Sequence, residues 1–181
     1  MARIVVVEKR DSVLRRTADD DDPYERPIVA NADQLVIVTA LADPPPRTGM
    51  IDRILVACYD AGLEPLLCLT KSDLATPDEL IAAYEPLGIR VITTRPGADL
   101  TPLRNALHNQ ISVLVGHSGV GKSTLVNALV PEAERTTGQV NEVTGRGRHT
   151  STSAMALRLA NGGWIIDLSL IHISEPTRLL S

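Results

Sequence analysis

The chain has 181 residues and a net charge of −4, and hydrophobic residues make up 44% of it against 22% charged residues. This is the composition of an ordinary globular protein, and its charge argues against a globally basic nucleic-acid binder. The longest apolar run, residues 35–42, is too short to span a membrane, and no signal segment opens the chain.

Residues 1–33 predict a small β element rather than a domain. Residues 4–7 and 13–16 have the apolar clustering of strands, and the acidic run at residues 19–22 is typical of a solvated loop. Thirty residues cannot close a barrel alone, so we expect the end of a domain whose beginning lies outside this chain.

From residue 34 the pattern changes to strands that alternate with amphipathic helices, which predicts an α/β fold with a mostly parallel sheet and helices on both faces. Cys58 and Cys68 fall on apolar positions of this pattern, and we assign both to the core. Because the chain has only these two cysteines and no CxxC pair, a disulfide framework and a cysteine-built zinc site are excluded. The expected compartment is the cytoplasm. The polar stretch 131–153 interrupts this rhythm. Strands are predicted at residues 35–41, 65–70, 89–94, 111–115, 154–159 and 164–167, the last two forming a hairpin, and helices at 50–61, 77–84, 100–108 and 122–129.

One motif predicts phosphate binding, because it fits the pattern G-x-x-x-x-G-K-[ST] between a strand and a helix. In such a loop, successive backbone N–H groups point at the phosphates. Lys122 would reach the β- and γ-phosphate oxygens, and the Ser123 hydroxyl would bind Mg²⁺. We expect His117 to contribute its backbone rather than its ring. The motif reads Gly116-His117-Ser118-Gly119-Val120-Gly121-Lys122-Ser123, with Thr124 next.

A second motif, Thr70-Lys71-Ser72-Asp73, follows a predicted strand and indicates which base is bound. The Asp73 carboxylate can accept hydrogen bonds from guanine N1–H and the N2 amino group, whereas adenine offers no matching pair of donors. The Lys71 stem would lie along the base. The motif therefore favours guanine, and an ATP-dependent P-loop kinase is the less favoured alternative.

The guanine motif precedes the P-loop, the reverse of the usual order in GTPases, and a parallel sheet tolerates such a rotation of its chain ends. In this order and in four stretches the chain resembles the RsgA family (ribosome small subunit-dependent GTPase A) of circularly permuted P-loop GTPases. Those stretches are residues 70–73, 116–124, 145–150 and 162–167.

The resemblance implies a remnant of an N-terminal OB-fold domain over residues 1–33 and a circularly permuted GTPase domain over residues 34–167. Residues 131–153 would be the first switch, in which Thr150, or Thr152, contacts Mg²⁺ and the γ-phosphate. His149, beside two arginines, would orient water or phosphate, so that Lys122, His149 and Thr150 form the catalytic set. Thr93-Thr94-Arg95 stands where the family's base-backing loop usually has Ser-Ala.

The resemblance also implies hydrolysis of GTP to GDP and phosphate during late maturation of the small (30S) ribosomal subunit. The expected partners are that subunit and its rRNA, and the expected state is a cytoplasmic monomer without membrane contact. Zinc would be bound only by a C-terminal domain that follows the GTPase domain in the family, and no zinc ligands are expected in this chain.

After Asp167 the sequence departs from the family, whose second switch continues as Thr-Pro-Gly. We expect residues 168–181 to be a non-native tail, and the coding sequence to be cut at both ends. The chain as written would then bind GDP or GTP weakly, hydrolyse GTP poorly and be marginally soluble. A non-catalytic guanine-nucleotide-binding remnant is the alternative function.

Overall fold

The computed structural model describes residue 6 and residues 9–17, 25–131 and 154–168, and these form eight strands and four α-helices. Most predicted elements lie within one or two residues of their predicted ends. The strands are β1 (Val13–Thr17), β2 (Glu25–Ala30), β3 (Gln34–Ala40), β4 (Glu64–Thr70), β5 (Arg90–Thr93), β6 (Ile111–Val115), β7 (Ala154–Arg158) and β8 (Trp164–Leu168). The helices are α1 (Thr48–Asp60), α2 (Asp78–Tyr84), α3 (Thr101–Ala106) and α4 (Lys122–Leu129).

Six strands form one sheet in the order β5-β4-β3-β6-β8-β7, in which every neighbouring pair is parallel except β7 and β8. The mostly parallel sheet and the terminal hairpin predicted from the sequence are therefore confirmed. The carboxyl ends of parallel strands meet at one edge of a sheet, which is where such folds bind their ligands. The segments after β3, β4, β5 and β6 all begin at this edge.

Helices cover both faces of the sheet. The buried side chains of α1, Ile51, Ile54, Leu55 and Cys58, join one core cluster together with residues of α2. Residues of α3 and α4 join the second cluster on the opposite face, which includes Cys68. The prediction that both cysteines belong to the core is confirmed, since each is 0% exposed.

The two strands before the main sheet form an antiparallel pair of their own. Leu14 and Val29 of this pair are buried in the cluster that contains α1. The sequence did not lead us to predict β2, which contains Pro27, a residue without the backbone N–H of a regular strand. The structure accommodates it beside an irregularity in the register, where Leu14 pairs with Val29 but Arg15 pairs with Pro27.

Some predictions for the chain ends are untested by this structure. The predicted strand at residues 4–7, apart from Val6, and the acidic run at 19–22 lie outside the described residues. That residues 1–33 derive from an OB-fold, and that a non-native tail begins at residue 168, stay predictions. Leu168 itself ends β8, where it pairs with Ala154 and is buried.

Burial should make both thiols unreactive in the folded protein. Burial raises the pKa of Cys68 to about 12, and burial reinforced by the charge of Glu64 raises the pKa of Cys58 to about 12. Since the thiolate is the nucleophile, we expect no reaction with a thiol reagent at pH 8 in native buffer and reaction of both cysteines in 8 M urea. Rapid modification of either thiol without urea would contradict this packing.

The same shifts predict a dependence of stability on pH. A raised folded-state pKa means that the native state keeps protons that the unfolded state releases. The stabilisation of the folded state by its protonated thiols is fully present below the ordinary thiol pKa of 9.0 and is lost as the pH rises towards about 12. The free energy of unfolding should therefore fall across this range, and a double variant, Cys58→Ala with Cys68→Ala, should show a shallower fall.

Candidate nucleotide-binding site

The phosphate-binding loop predicted from the sequence connects β6 to α4 at the carboxyl edge of the sheet. Gly119 and Gly121 adopt φ values of +82° and +86°, in the left-handed region that favours glycine. Gly116 lies so close to β3 that a Cβ atom there would approach the Val38 carbonyl oxygen to 2.5 Å. These three glycines allow the loop to turn tightly and to begin α4 with its free N–H groups facing outwards.

The contact at Gly116 leads to a stability prediction. Gly116→Ala should destabilise the fold by about 1–3 kcal/mol, because the new methyl group must displace the backbone of β3 or of the loop. Chemical denaturation measures this difference. Gly49→Ala in α1 is the matched control, since no atom lies within 4 Å of a Cβ at that position and its stability should not fall. Equal stability of the two variants would contradict the described packing.

Thr70 joins the predicted base-reading motif to the phosphate-binding loop. Its Oγ1 lies 2.5 Å from the Val120 carbonyl oxygen and 3.2 Å from the Thr39 carbonyl oxygen, and the side chain is buried. A hydroxyl has a single proton, so its donation is committed to these backbone oxygens. Thr70 therefore fixes the position of the loop between β3, β4 and α4.

The other residues of the base-reading motif, residues 71–73, follow directly after the end of β4. Lys71 has a left-handed backbone, with φ of +58°, and its ammonium donates a hydrogen bond to the Asp43 carbonyl oxygen. The Ser72 N–H donates to the Thr94 carbonyl oxygen at 3.1 Å, which ties the motif to the loop after β5. Asp73, which follows Ser72, is exposed to solvent. Its carboxylate is thus available to a ligand.

Lys122, the lysine of the loop, is buried and forms an ion pair with Asp167. Asp167 belongs to β8, the parallel neighbour of β6, so the carboxylate reaches the start of α4. Sequence reasoning did not assign Asp167 to the site. The available signal was an acidic residue near the end of an apolar strand in a chain with a phosphate-binding loop.

An oxygen-ligand cation fits this place. The Ser123 hydroxyl, exposed at the start of α4, and the Asp167 carboxylate supply hard oxygen donors of the kind that Mg²⁺ prefers. Within the described ranges there is no group of three or more His, Cys, Asp or Glu side chains that could hold a metal ion unaided. The donor set therefore suits a cation that a phosphate ligand completes.

A cavity of about 570 Å³ opens beside the loop. It is bounded by residues 94–100 on one side and by one face of α4 on the other, and it continues to Thr70 and Lys71. The face of α4 contributes Gly121, Thr124, Leu125 and Ala128. This cavity is large enough for a purine base next to the phosphate-binding loop.

Of the other predicted site residues, His117 is described by the structure and those of the proposed first switch are not. The His117 Nδ1 atom lies 2.9 Å from the Ser118 carbonyl oxygen, while Nε2 is buried and has no hydrogen-bond partner among the residues that the structure describes. His149, Thr150 and Thr152 lie outside the described residues.

In the part of the chain that the structure describes, no helix combines the length and apolar character needed to cross a membrane.

Comparison with known proteins places this geometry in a family. The family model described as RsgA GTPase matches residues 7–169. The chain is 41% identical over 174 residues to the small ribosomal subunit biogenesis GTPase RsgA 1 of Vibrio vulnificus, covering 91% of this chain and 48% of that protein. It is 44% identical over 166 residues to a protein named small ribosomal subunit biogenesis GTPase RsgA from Carboxydothermus hydrogenoformans, covering 90% and 57%. The chain spans about half the length of the curated relatives it matches.

Solved structures agree with this assignment. The crystal structure of YjeQ from Thermotoga maritima superposes with a TM-score of 0.66 at 26% identity, over 94% of this chain and 56% of that one. The structure of YloQ, described as a circularly permuted GTPase, gives a TM-score of 0.55 at 25% identity, over 85% and 54%.

Proposed function

The chain belongs to the RsgA GTPase family, and from this premise we propose that it binds GTP with Mg²⁺ and hydrolyses it to GDP and phosphate. The observation that carries the proposal is the joining of the two motifs by Thr70, whose hydroxyl lies 2.5 Å from the Val120 carbonyl oxygen of the phosphate-binding loop. One buried side chain therefore holds the base-reading segment and the phosphate cradle together.

In this proposal the nucleotide phosphates accept hydrogen bonds from the backbone of residues 116–124, and Lys122 binds the β- and γ-phosphate oxygens. Lys122 is paired with Asp167 in the structure, so binding replaces one anionic partner of the ammonium by another. Asp73 accepts from guanine N1–H and the N2 amino group, with the Lys71 stem along the ring.

Ser123 and Asp167, with Thr150 of the proposed first switch, would hold Mg²⁺. When bound, the ion would neutralise charge that develops on the β- and γ-phosphate oxygens. Lys122 contributes to the same charge stabilisation from the protein side. His149 is proposed to orient the attacking water or the phosphate, since an imidazole can donate or accept a hydrogen bond.

The biological setting is proposed from the relatives, which are named as GTPases of small ribosomal subunit biogenesis. We infer that the protein acts on the 30S subunit late in its maturation, as a cytoplasmic monomer that contacts rRNA. The proposal gives Zn²⁺ no role among the residues of this chain.

Single-turnover cleavage of GTP, with and without purified 30S subunits, tests this function. We expect slow cleavage by the chain alone and faster cleavage with the subunits, because the small subunit is the proposed partner. Lys122→Ala assayed with the same subunits corrects for GTPase activity that they carry. GDP binding without cleavage in either condition would support the non-catalytic alternative and overturn the enzymatic proposal.

A further inference from the structure

We infer that the His117 ring orients the phosphate-binding loop, because it holds the Ser118 carbonyl oxygen and so points the Gly119 N–H at the nucleotide phosphates. His117 is thus a positioning residue, and this part of its ring adds to the backbone contribution expected from the sequence. The inference rests on the proposed binding of a guanine nucleotide and deepens it, since it names what keeps one donor of the loop in place.

The contact that carries this inference lies within the loop itself. The His117 Nδ1 atom lies 2.9 Å from the Ser118 carbonyl oxygen. A carbonyl oxygen only accepts hydrogen bonds, so Nδ1 is the protonated nitrogen that donates. The ring therefore fixes the direction in which the Ser118 carbonyl points.

Fixing this carbonyl also fixes the N–H of the next residue. Ser118 and Gly119 share a trans peptide unit, which is planar, so the Ser118 carbonyl and the Gly119 N–H point in opposite directions. Gly119 is exposed, and its N–H has no hydrogen-bond partner among the residues that the structure describes. This N–H is therefore available to a ligand on the side of the peptide unit away from the ring.

Without the ring, little would prevent this peptide unit from rotating. Gly119 has a φ of +82°, and glycine reaches both signs of φ at little cost. A rotated unit would present the Ser118 carbonyl oxygen to the phosphates, and two groups that carry negative charge repel each other. A loop of this kind binds phosphate through N–H groups that face the ligand. The His117 contact therefore selects the orientation that is competent to bind.

The ring can hold the carbonyl because its own position is fixed by packing. His117 is half-buried beside a narrow groove between β3 and the start of α1, which Met50, Ile51 and Ile54 line on the helix side. The space left in this groove is about 10 Å³, no more than a single water molecule requires. Since Nε2 is buried and has no hydrogen-bond partner among the described residues, packing holds that side of the ring.

Calorimetric titration with GDP tests the inference on the wild-type chain, His117→Leu and His117→Asn. Leucine fills the groove without offering a donor, so GDP should bind His117→Leu about tenfold more weakly, the scale of one lost hydrogen bond to a charged group. The asparagine amide places an N–H donor where Nδ1 lies in histidine, so the affinity of His117→Asn should stay within about threefold of the wild type.

Two further measurements separate positioning from a merely structural role. The thermal unfolding midpoint of His117→Leu without nucleotide should stay close to that of the wild type, because removal of a buried nitrogen without a partner offsets the bond lost within the loop. In NMR spectra of the chain with isotope-labelled glycine, saturating GDP should shift the Gly119 amide signal in the wild type and in His117→Asn, and should shift it less in His117→Leu. If His117→Leu does not fold, His117→Ala takes its place in the same comparison.

Wild-type affinity in His117→Leu would overturn the inference and leave the proposed function in place. A weakened affinity with an unchanged shift of the Gly119 signal would also overturn it, as would an equal loss in His117→Asn, since the ring would then act through its size alone. Failure of the wild-type chain to bind GDP would overturn both the inference and the proposed function.

Discussion

Lys122→Ala is expected to weaken binding of GDP and GTP by about 100-fold, because each charge-assisted hydrogen bond of the ammonium contributes about 1.5–3 kcal/mol. The lysine is buried at the start of α4, where its ammonium forms an ion pair with Asp167. Backbone N–H groups of the loop remain in the variant, so residual binding is expected, but the strongest positive charge beside the phosphates is lost. Titration with a fluorescent GDP analogue measures the affinity.

Lys9→Ala is the control for this prediction, since Lys9 is exposed and lies before β1. It should bind GDP like the wild type. Thermal unfolding of Lys122→Ala without nucleotide separates lost binding from lost folding. An affinity within about threefold of the wild type would show that the phosphates do not bind at this loop.

Asp73→Asn is expected to exchange the base preference of the site. Guanine N1–H and the N2 amino group require two acceptors, whereas an amide offers one acceptor and one donor. Affinity for GDP should fall by about 100-fold through the unpaired donor. Xanthine carries an oxygen in place of the N2 amino group and matches the amide, so xanthosine diphosphate should bind the variant better than GDP does.

Because Asp73 is exposed, this substitution should leave the free energy of unfolding nearly unchanged. Asp60→Asn, at the end of α1 that lies away from the site, is the control and should keep the preference for GDP. If Asp73→Asn still preferred GDP to the xanthine nucleotide, the assignment of the base-reading motif would be wrong.

Where local signals are strong, the sequence predicted the structure closely. The bounds of β6 and α4 match their predictions, because a β-branched run and a glycine-rich turn mark them without ambiguity. The strand β2 was not predicted, and its Pro27 pairs with Arg15 next to an irregularity in the register with β1. That irregularity depends on pairing between segments and leaves no local trace in the sequence.

Part of the candidate site was likewise predictable from the sequence and part was not. Glycine spacing was enough to predict the loop that the structure places after β6. The partners of its side chains were not predictable, since Asp167 reaches Lys122 only because β8 is the parallel neighbour of β6. In the same way, Thr70 at the end of β4 contacts the Val120 carbonyl oxygen after β6 because only one strand, β3, lies between β4 and β6. Strand order decides these contacts, and strand order is a property of the whole sheet.

Binding of a guanine nucleotide at this edge of the sheet is tested most directly by calorimetric titration of the full chain with GDP in the presence of Mg²⁺. We expect one GDP bound per chain, with the heat of binding retained in about a 100-fold excess of ADP, because adenine offers no matching pair of donors to the Asp73 carboxylate. Equal competition by ADP, or no binding of GDP, would contradict it.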